Sequence, residues 1–302
     1  MIRYIAIILA SVIMSQSAIA EGLKVIMLGT GTPMSYPDRS GPGVAIISGD
    51  ETYIIDSGAG IFRKTREAEA MGIKALAPPK LDKIFLTHLH SDHTTGLANM
   101  ILAPWVLRRD KPLQLYGPPG TKHMADNILE AYSEDIDMRL HGSQPANPNG
   151  YKVKSHEYSN PGIIFQDDNV MVEAIKVPHG SWKYAYAYKF TEKKGGKTVL
   201  ISGDTAKSDD LMKAAKGVDI LVHEVISEIA LNKRTQDWQI YHRAYHTLPR
   251  ELAEIANVAK PRLLVLYHQL YWDKADDNLA AEVKAAGYDG KVVSANDLDI
   301  FE

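Results

Sequence analysis

The sequence predicts an α/β architecture in which sheets are covered by helices, and three observations carry that prediction. Short apolar runs rich in Val and Ile, bounded by Gly, Pro or Asp, recur along the chain and read as strands. Amphipathic stretches of helical period alternate with them. The 302 residues are 45% hydrophobic and 24% charged, an ordinary globular composition with enough length for a sizeable core.

In chain order, strands are expected over 23–28, 44–48, 52–55, 83–87, 113–116, 170–177, 184–190, 198–202, 219–222, 262–267 and 298–301. The segments KVIML, VAIIS, KIFLT and TVLIS are rich in Val, Ile or Thr, and LLVLY is apolar throughout. Tyr184, Tyr186 and Tyr188 alternate at period two, as one face of a sheet does. Helices are expected over 61–71, 93–107, 121–132, 207–216, 249–258 and 276–286. Pro249 follows Leu248 where a proline suits a first helical turn. Two loop-rich stretches, HGSQPANPNG at 141–150 and SNPGIIFQDDN at 159–169, suggest a boundary near 150–170. Metal-capable residues lie on both sides of it, so the halves are read as one domain over 21–302.

Residues 1–20, MIRYIAIILASVIMSQSAIA, differ from the rest. One cation, Arg3, precedes an apolar run that closes on Ala18-Ile19-Ala20. This is the pattern of an export signal cleaved after Ala20, which implies a periplasmic or secreted protein with no membrane attachment after cleavage. The chain has no cysteine, which excludes thiolate catalysis and Cys-rich zinc sites. Its net charge is −3, or −4 after loss of residues 1–20 (33 basic against 37 acidic). No run of Lys or Arg stands out, so no nucleic-acid partner is expected.

The densest chemistry is THLHSDHTTG, which places His88, His90, Asp92 and His93 within six positions at a predicted strand end. In extended chain His88 and His90 point to the same side. A helix starting near Asp92 lets Asp92 and His93 aim at a second point nearby. Imidazoles and a carboxylate suit zinc or another borderline metal. Three later strands end on further candidates: VEAIKVPHG on His179, TVLISGDT on Asp204 and LLVLYHQ on His268. Strand ends are where a packed scaffold presents ligands into a cleft.

Taken in order, IIDSG with Asp56, HLHSDH, VPHG, SGDT and LYHQ resemble the metallo-β-lactamase superfamily across essentially all of residues 21–302. The resemblance implies an αββα sandwich with the metal site at one edge. It implies that His88, His90 and His179 hold one zinc, that Asp92, His93 and His268 hold a second, and that Asp204 bridges both; manganese or iron could take their place. Asp56 would steady the cluster loop. VIMLGTGTP, LVHEV and HTLPRELAEIA followed by LYHQ resemble the ribonuclease Z and zinc-dependent arylsulfatase branch. In that branch a Glu faces a His, here Glu224 and His246.

The resemblance implies a hydrolase in which Asp92 orients the nucleophile and His246, set by Glu224, protonates the leaving group. Ribonuclease Z enzymes usually carry a long tRNA-gripping arm between the third His and the bridging Asp, whereas His179 and Asp204 are only 25 positions apart. With the export signal and the acidic balance, this favours a small sulfate or phosphate ester as substrate. A β-lactam or lactone, RNA, or metal binding without catalysis remain the alternatives.

Overall fold

The computed structural model describes residues 22–34, 36–273 and 277–302. The export signal expected over 1–20 lies outside the described residues. Fourteen strands and ten α-helices among the described residues build two seven-stranded sheets with helices on their outer faces. The first sheet takes its strands from β1 (Lys24–Gly29), β2 (Gly43–Ser48), β3 (Glu51–Ile55), β4 (Lys83–Phe85), β5 (Leu113–Gly117) and β6 (Val153–Glu157). The second takes β7 (Gly162–Gln166), β8 (Val170–Lys176), β9 (Tyr186–Glu192), β10 (Thr198–Ile201), β11 (Ile220–Ile226), β12 (Leu263–Leu270) and β13 (Val292–Ser294). The last strand, β14 (Ile300–Phe301), returns to pair with β1 and closes the order β14-β1-β2-β3-β4-β5-β6. The switch between sheets thus falls between Glu157 and Gly162, inside the suspected boundary.

The helices are α1 (Ile61–Ala70), α2 (Ser91–Thr94), α3 (Leu97–Val106), α4 (Thr121–Ala131), α5 (Ser133–His141), α6 (Asp209–Ala214), α7 (Glu228–Leu231), α8 (Gln236–Tyr245), α9 (Pro249–Ala259) and α10 (Leu279–Ala285). Strand alternation divides the buried residues into layers. Val25, Met27, Tyr53, Ile55, Tyr186, Tyr188 and Phe190 fill the space between the sheets. Ile26, Leu28, Ala45 and Ile54 face the other way, toward α1 and α3. Leu200, Leu221 and Leu264 pack against α6, α9 and α10. Burial on both faces explains why these strands read as near-continuous apolar runs.

Three strands and three helices were not expected. The strands β6, β7 and β13 are edge strands of their sheets, and all of their residues remain at least partly exposed. All of β7 lies in a stretch read as loop. Helix α5 buries one residue, Ile136, and α8 buries none, so neither carries the apolar stripe that betrays a helix. The third, α7, is a single turn.

Strand direction positions the site. In the first sheet β3 and β4 run parallel. In the second, β10, β11 and β12 run parallel, and β8 shares their direction because both β8 and β10 are antiparallel to β9. The loops that carry Asp56, the histidine cluster, His179 and Asp204 all leave C-terminal strand ends.

Candidate metal centre

The cluster loop is held from behind. Strand β4 ends at Phe85, two residues earlier than expected, and the chain turns through Thr87–His90 into α2. Asp56, in a left-handed conformation with φ 61° just past β3, accepts hydrogen bonds from Thr87 N (2.8 Å) and Thr87 Oγ1 (2.9 Å), and its Oδ2 lies 2.8 Å from His93 Nδ1. Ser57 N donates to His93 O and Gly96 N to Ser57 O, both at 2.8 Å. A Cβ on Gly96 would lie 2.2 Å from Gly58 O, so only glycine permits this approach. Asp56 therefore shapes the loop and orients His93.

The seven residues expected to hold metal are brought together. His90 Nδ1 lies 2.9 Å from His88 Nε2 and 3.1 Å from His179 Nε2, so three ring nitrogens converge. Asp92 Oδ2 lies 3.1 Å from His268 Nε2 and 3.5 Å from His93 Nε2. Asp204 stands between the two groups. Its Oδ1 is 3.3 Å from His93 Nε2, and its Oδ2 is 3.3 Å from His268 Nε2 and 4.0 Å from His179 Nε2.

Local backbone explains two of these placements. His268 has φ 42° and is the unpaired residue where the β11–β12 register shifts, because Glu224 faces Tyr267 while Val225 faces Gln269. This bulge turns His268 off the strand and into the site. Gly203, at φ 60°, lies where a Cβ would meet Tyr186 O at 2.8 Å, and it carries Asp204 across the strand edge.

The far sides of the rings fix which nitrogen points inward. His88 Nδ1 lies 3.0 Å from Thr87 Oγ1, and His179 Nδ1 donates to Tyr245 O at 2.8 Å. With His93 Nδ1 on Asp56, three rings direct Nε2 at the site. His90 differs. Trp182 Nε1 donates to its Nε2 at 2.6 Å, so Nδ1 is the nitrogen it turns toward His88 and His179. Thr87 and Trp182 had no role in the sequence reading, although they lie within three residues of His88 and His179.

These residues fit a metal pair. His93 Nε2 and Asp204 Oδ1 are buried and, among the described residues, have no hydrogen-bond partner. Such buried polar atoms are costly unless something satisfies them. All the inward donors are nitrogen or carboxylate oxygen. His88, His90, His179 and Asp204 form one group with donor atoms within 4.8 Å of one another, and Asp92, His93 and His268 form another. A divalent metal site follows from this donor set and spacing.

The electrostatics agree. Burial and the neighbouring His93 push His88 well below the usual histidine range. Burial carries His179 down to about 3. His93 goes the other way: burial opposes its charge, but Asp204, Asp92 and Asp56 together hold it well above its ordinary value. Asp204 is held well below the carboxylate range by His268 and His93, against the cost of burial. Neutral imidazoles at His88 and His179 and an ionised Asp204 are the protonation states a divalent ion needs, whereas an ion reaching His93 would displace the proton its carboxylate neighbours hold there.

Beside this cluster, His246 ends α8 and swings away with extended φ −133° and ψ 157°. Its ring still lies 5.6 Å from that of His242, and both border the same cleft. His246 Nδ1 lies 3.4 Å from Glu224 Oε2. Glu224 is buried, and its Oε1 accepts from Thr247 N (2.7 Å) and Thr205 N (3.4 Å). Burial and then Asp204 push Glu224 well above its ordinary pKa, while burial lowers His246 to about 4. His246, with His90, Asp92, Asp204 and His268, borders an open cleft of about 200 Å³, and the fully buried Glu224 lies behind it. Donor atoms of His246, Asp204 and His268 also come within 4.8 Å of one another.

The neighbouring aromatics divide. Tyr271 is buried and stacks on Tyr36, whereas Trp238 and Tyr241 are exposed. His223 is buried in β11 with Nδ1 donating to Glu224 O at 2.7 Å, and it takes no part in the cluster.

Residues 51–269 match the Beta-lactamase superfamily domain. Ribonuclease Z of Mycobacterium bovis is 30% identical over 285 residues, spanning 93% of this chain and 98% of that protein. Ribonuclease Z of Mycobacterium marinum is 30% identical over 287 residues with the same coverage. Among solved structures, human tRNase Z, short form, superposes with a TM-score of 0.68 at 21% identity, covering 92% of this chain and 98% of that one.

Proposed function

The chain belongs to the beta-lactamase superfamily as a metal-dependent hydrolase, and from that premise we propose that its substrate is RNA, cut at an internal phosphodiester as its ribonuclease Z relatives are named for. The observation that carries this is 30% identity along nearly the whole of both chains. It corrects two expectations. A small sulfate or phosphate ester is not the better substrate class, and a nucleic-acid partner is not excluded. Net charge is a sum over the surface, whereas phosphate recognition is local, and a cluster that holds divalent cations brings its own positive charge. The short interval from His179 to Asp204 also loses its force, because the alignment reaches 98% of the relative and leaves little room for a larger insertion there.

We assign His88, His90 and His179 to one ion, Asp92, His93 and His268 to a second, and Asp204 to both, with zinc as the pair the histidine-rich donor set favours. Such ions supply charge neutralisation for a phosphodiester and a water acidic enough to ionise near neutral pH. The chain's own residues do the rest. Asp92, at the cleft, orients the attacking water. The His246 ring, bordering the same cleft, carries a proton to the departing ribose oxygen. Glu224 positions that ring and is itself fixed by the backbone of Thr205 and Thr247.

We further propose export, on the strength of residues 1–20. Among the described residues no helix is long and apolar enough to cross a membrane. N-terminal sequencing of protein recovered outside the cytoplasm should begin at Glu21; Met1 would refute cleavage. The RNA assignment is tested by offering the zinc-loaded protein a structured RNA with a single-stranded 3′ extension and mapping the cut. Cleavage confined to the metal-loaded protein supports it, and an intact RNA beside active hydrolysis of a simple phosphodiester refutes it.

A further inference from the structure

The cleft over the metal centre has a second one beside it. His242 borders both, and beyond it lies a cavity of about 270 Å³ lined by Lys233, Arg234, Thr235, Trp238, His242 and Trp272. Its walls are aromatic. The Trp238 ring stacks on His242 at 5.6 Å, Trp272 meets His242 edge-on at 5.1 Å, and the Arg234 guanidinium lies 4.8 Å over the Trp272 ring.

Two features are unexplained by the fold. Helix α8 buries none of its residues, yet Trp238 on it is 55% exposed beside the cavity. Arg234 Nε and His242 Nδ1 are buried and, among the described residues, lack a hydrogen-bond partner. Apolar rings left in water and polar atoms left unpaired both point to an absent occupant with a flat face and acceptor oxygens.

We propose that this cavity holds a nucleotide flanking the scissile phosphate, its base against Trp238 and its phosphate toward Arg234 and Lys233. The proposal rests on the RNA reading. Every base has a π-face, so such a slot tolerates sequence and selects single strands, whose bases are free to leave a stack. Base pairing in a duplex would withhold that base, which confines cutting to a junction with an unpaired strand.

The test uses the full-length zinc-loaded protein with two substrates: an RNA carrying a single-stranded 3′ extension, and bis(p-nitrophenyl) phosphate, which is too small to span both cavities. Trp238→Ala should raise KM for the RNA by roughly tenfold with kcat little changed, and should leave the small diester untouched. An abasic nucleotide at the flanking position should raise the wild-type KM alike and abolish the difference between wild type and Trp238→Ala. Arg234→Met should flatten the dependence of log KM on log salt by somewhat less than one unit. Wild type that cuts RNA with KM indifferent to both substitutions overturns the slot alone. Wild type that hydrolyses the diester but cuts no RNA overturns the RNA reading and the slot with it. Equal loss on both substrates shows a structural role and also overturns the slot.

Discussion

Replacing His246 by alanine separates the three roles its position permits. The ring lies at the end of α8 with Nδ1 3.4 Å from Glu224 Oε2, and it borders the cleft that Asp92, Asp204 and His268 also line. If it protonates the departing ribose oxygen, the substitution should leave two metal ions per chain, because the seven assigned ligands are intact. The rate on RNA should fall by roughly 10²–10⁴, or about 3–5 kcal/mol in barrier. The loss should follow the leaving group. Nitrophenolate departs without a proton, so bis(p-nitrophenyl) phosphate should lose much less rate than RNA. Glu224→Gln should reproduce part of the effect, since it keeps the bonds from Thr247 N and Thr205 N but replaces the Oε2 that faces His246 Nδ1 with an amide nitrogen that cannot accept from the ring. The assay is metal content by mass spectrometry and single-turnover rates on both substrates. Equal losses on the two would refute the acid role. A fall in metal content would make His246 a ligand, as its approach to Asp204 and His268 allows.

Asp204→Ala removes the carboxylate that stands between the two groups, so metal occupancy should fall below two per chain and activity should be lost with it; full stoichiometry would contradict the bridging assignment. Arg109 is fully buried, with burial lowering it to about 10, and its guanidinium donates to the carbonyls of Leu81, Met100, Ile101 and Gly150. Arg109→Met would strand those carbonyls and should cost roughly 3–5 kcal/mol of stability, read as a lower urea midpoint with unchanged metal content in the folded protein. Buried His223 is held down to about 4 by desolvation. It stays neutral in the fold while the unfolded chain protonates below about 6.5, so it costs stability as pH drops from there toward 4, by up to about 1.4 kcal/mol per unit. His223→Gln should flatten the acid limb of the urea midpoint against pH; identical limbs would show that His223 titrates as it does in the unfolded chain.

The parts of this protein legible in sequence are those with a local signature. Central strands such as β2 and β11 are buried on both faces and announce themselves as apolar runs. The donors His88, His90, Asp92 and His93 share one short loop, and His179 and Asp204 each follow a strand. The convergence of these groups is tertiary, but the strand-end rule made it readable. His268 came from the same rule although it lies inside β12, because a bulge, invisible in sequence, turns it inward. Edge strands β6, β7 and β13 and the surface helices α5 and α8 escaped because partial exposure erases the apolar period. The substrate class was misjudged for a related reason. A whole-chain charge of −3 says nothing of Lys233 and Arg234 gathered beside the cleft by the fold.

The central claim is that this His and Asp cluster holds divalent metal to cut RNA. The most direct measurement incubates a single purified preparation, stripped with chelator and then restored with zinc, with an RNA bearing a single-stranded 3′ extension, and resolves the products on a sequencing gel. The account predicts no cut in the stripped protein and one dominant internal cut, at the junction with the extension, once two ions per chain are restored. Cleavage that persists without metal, or RNA left whole by fully loaded protein, would contradict it.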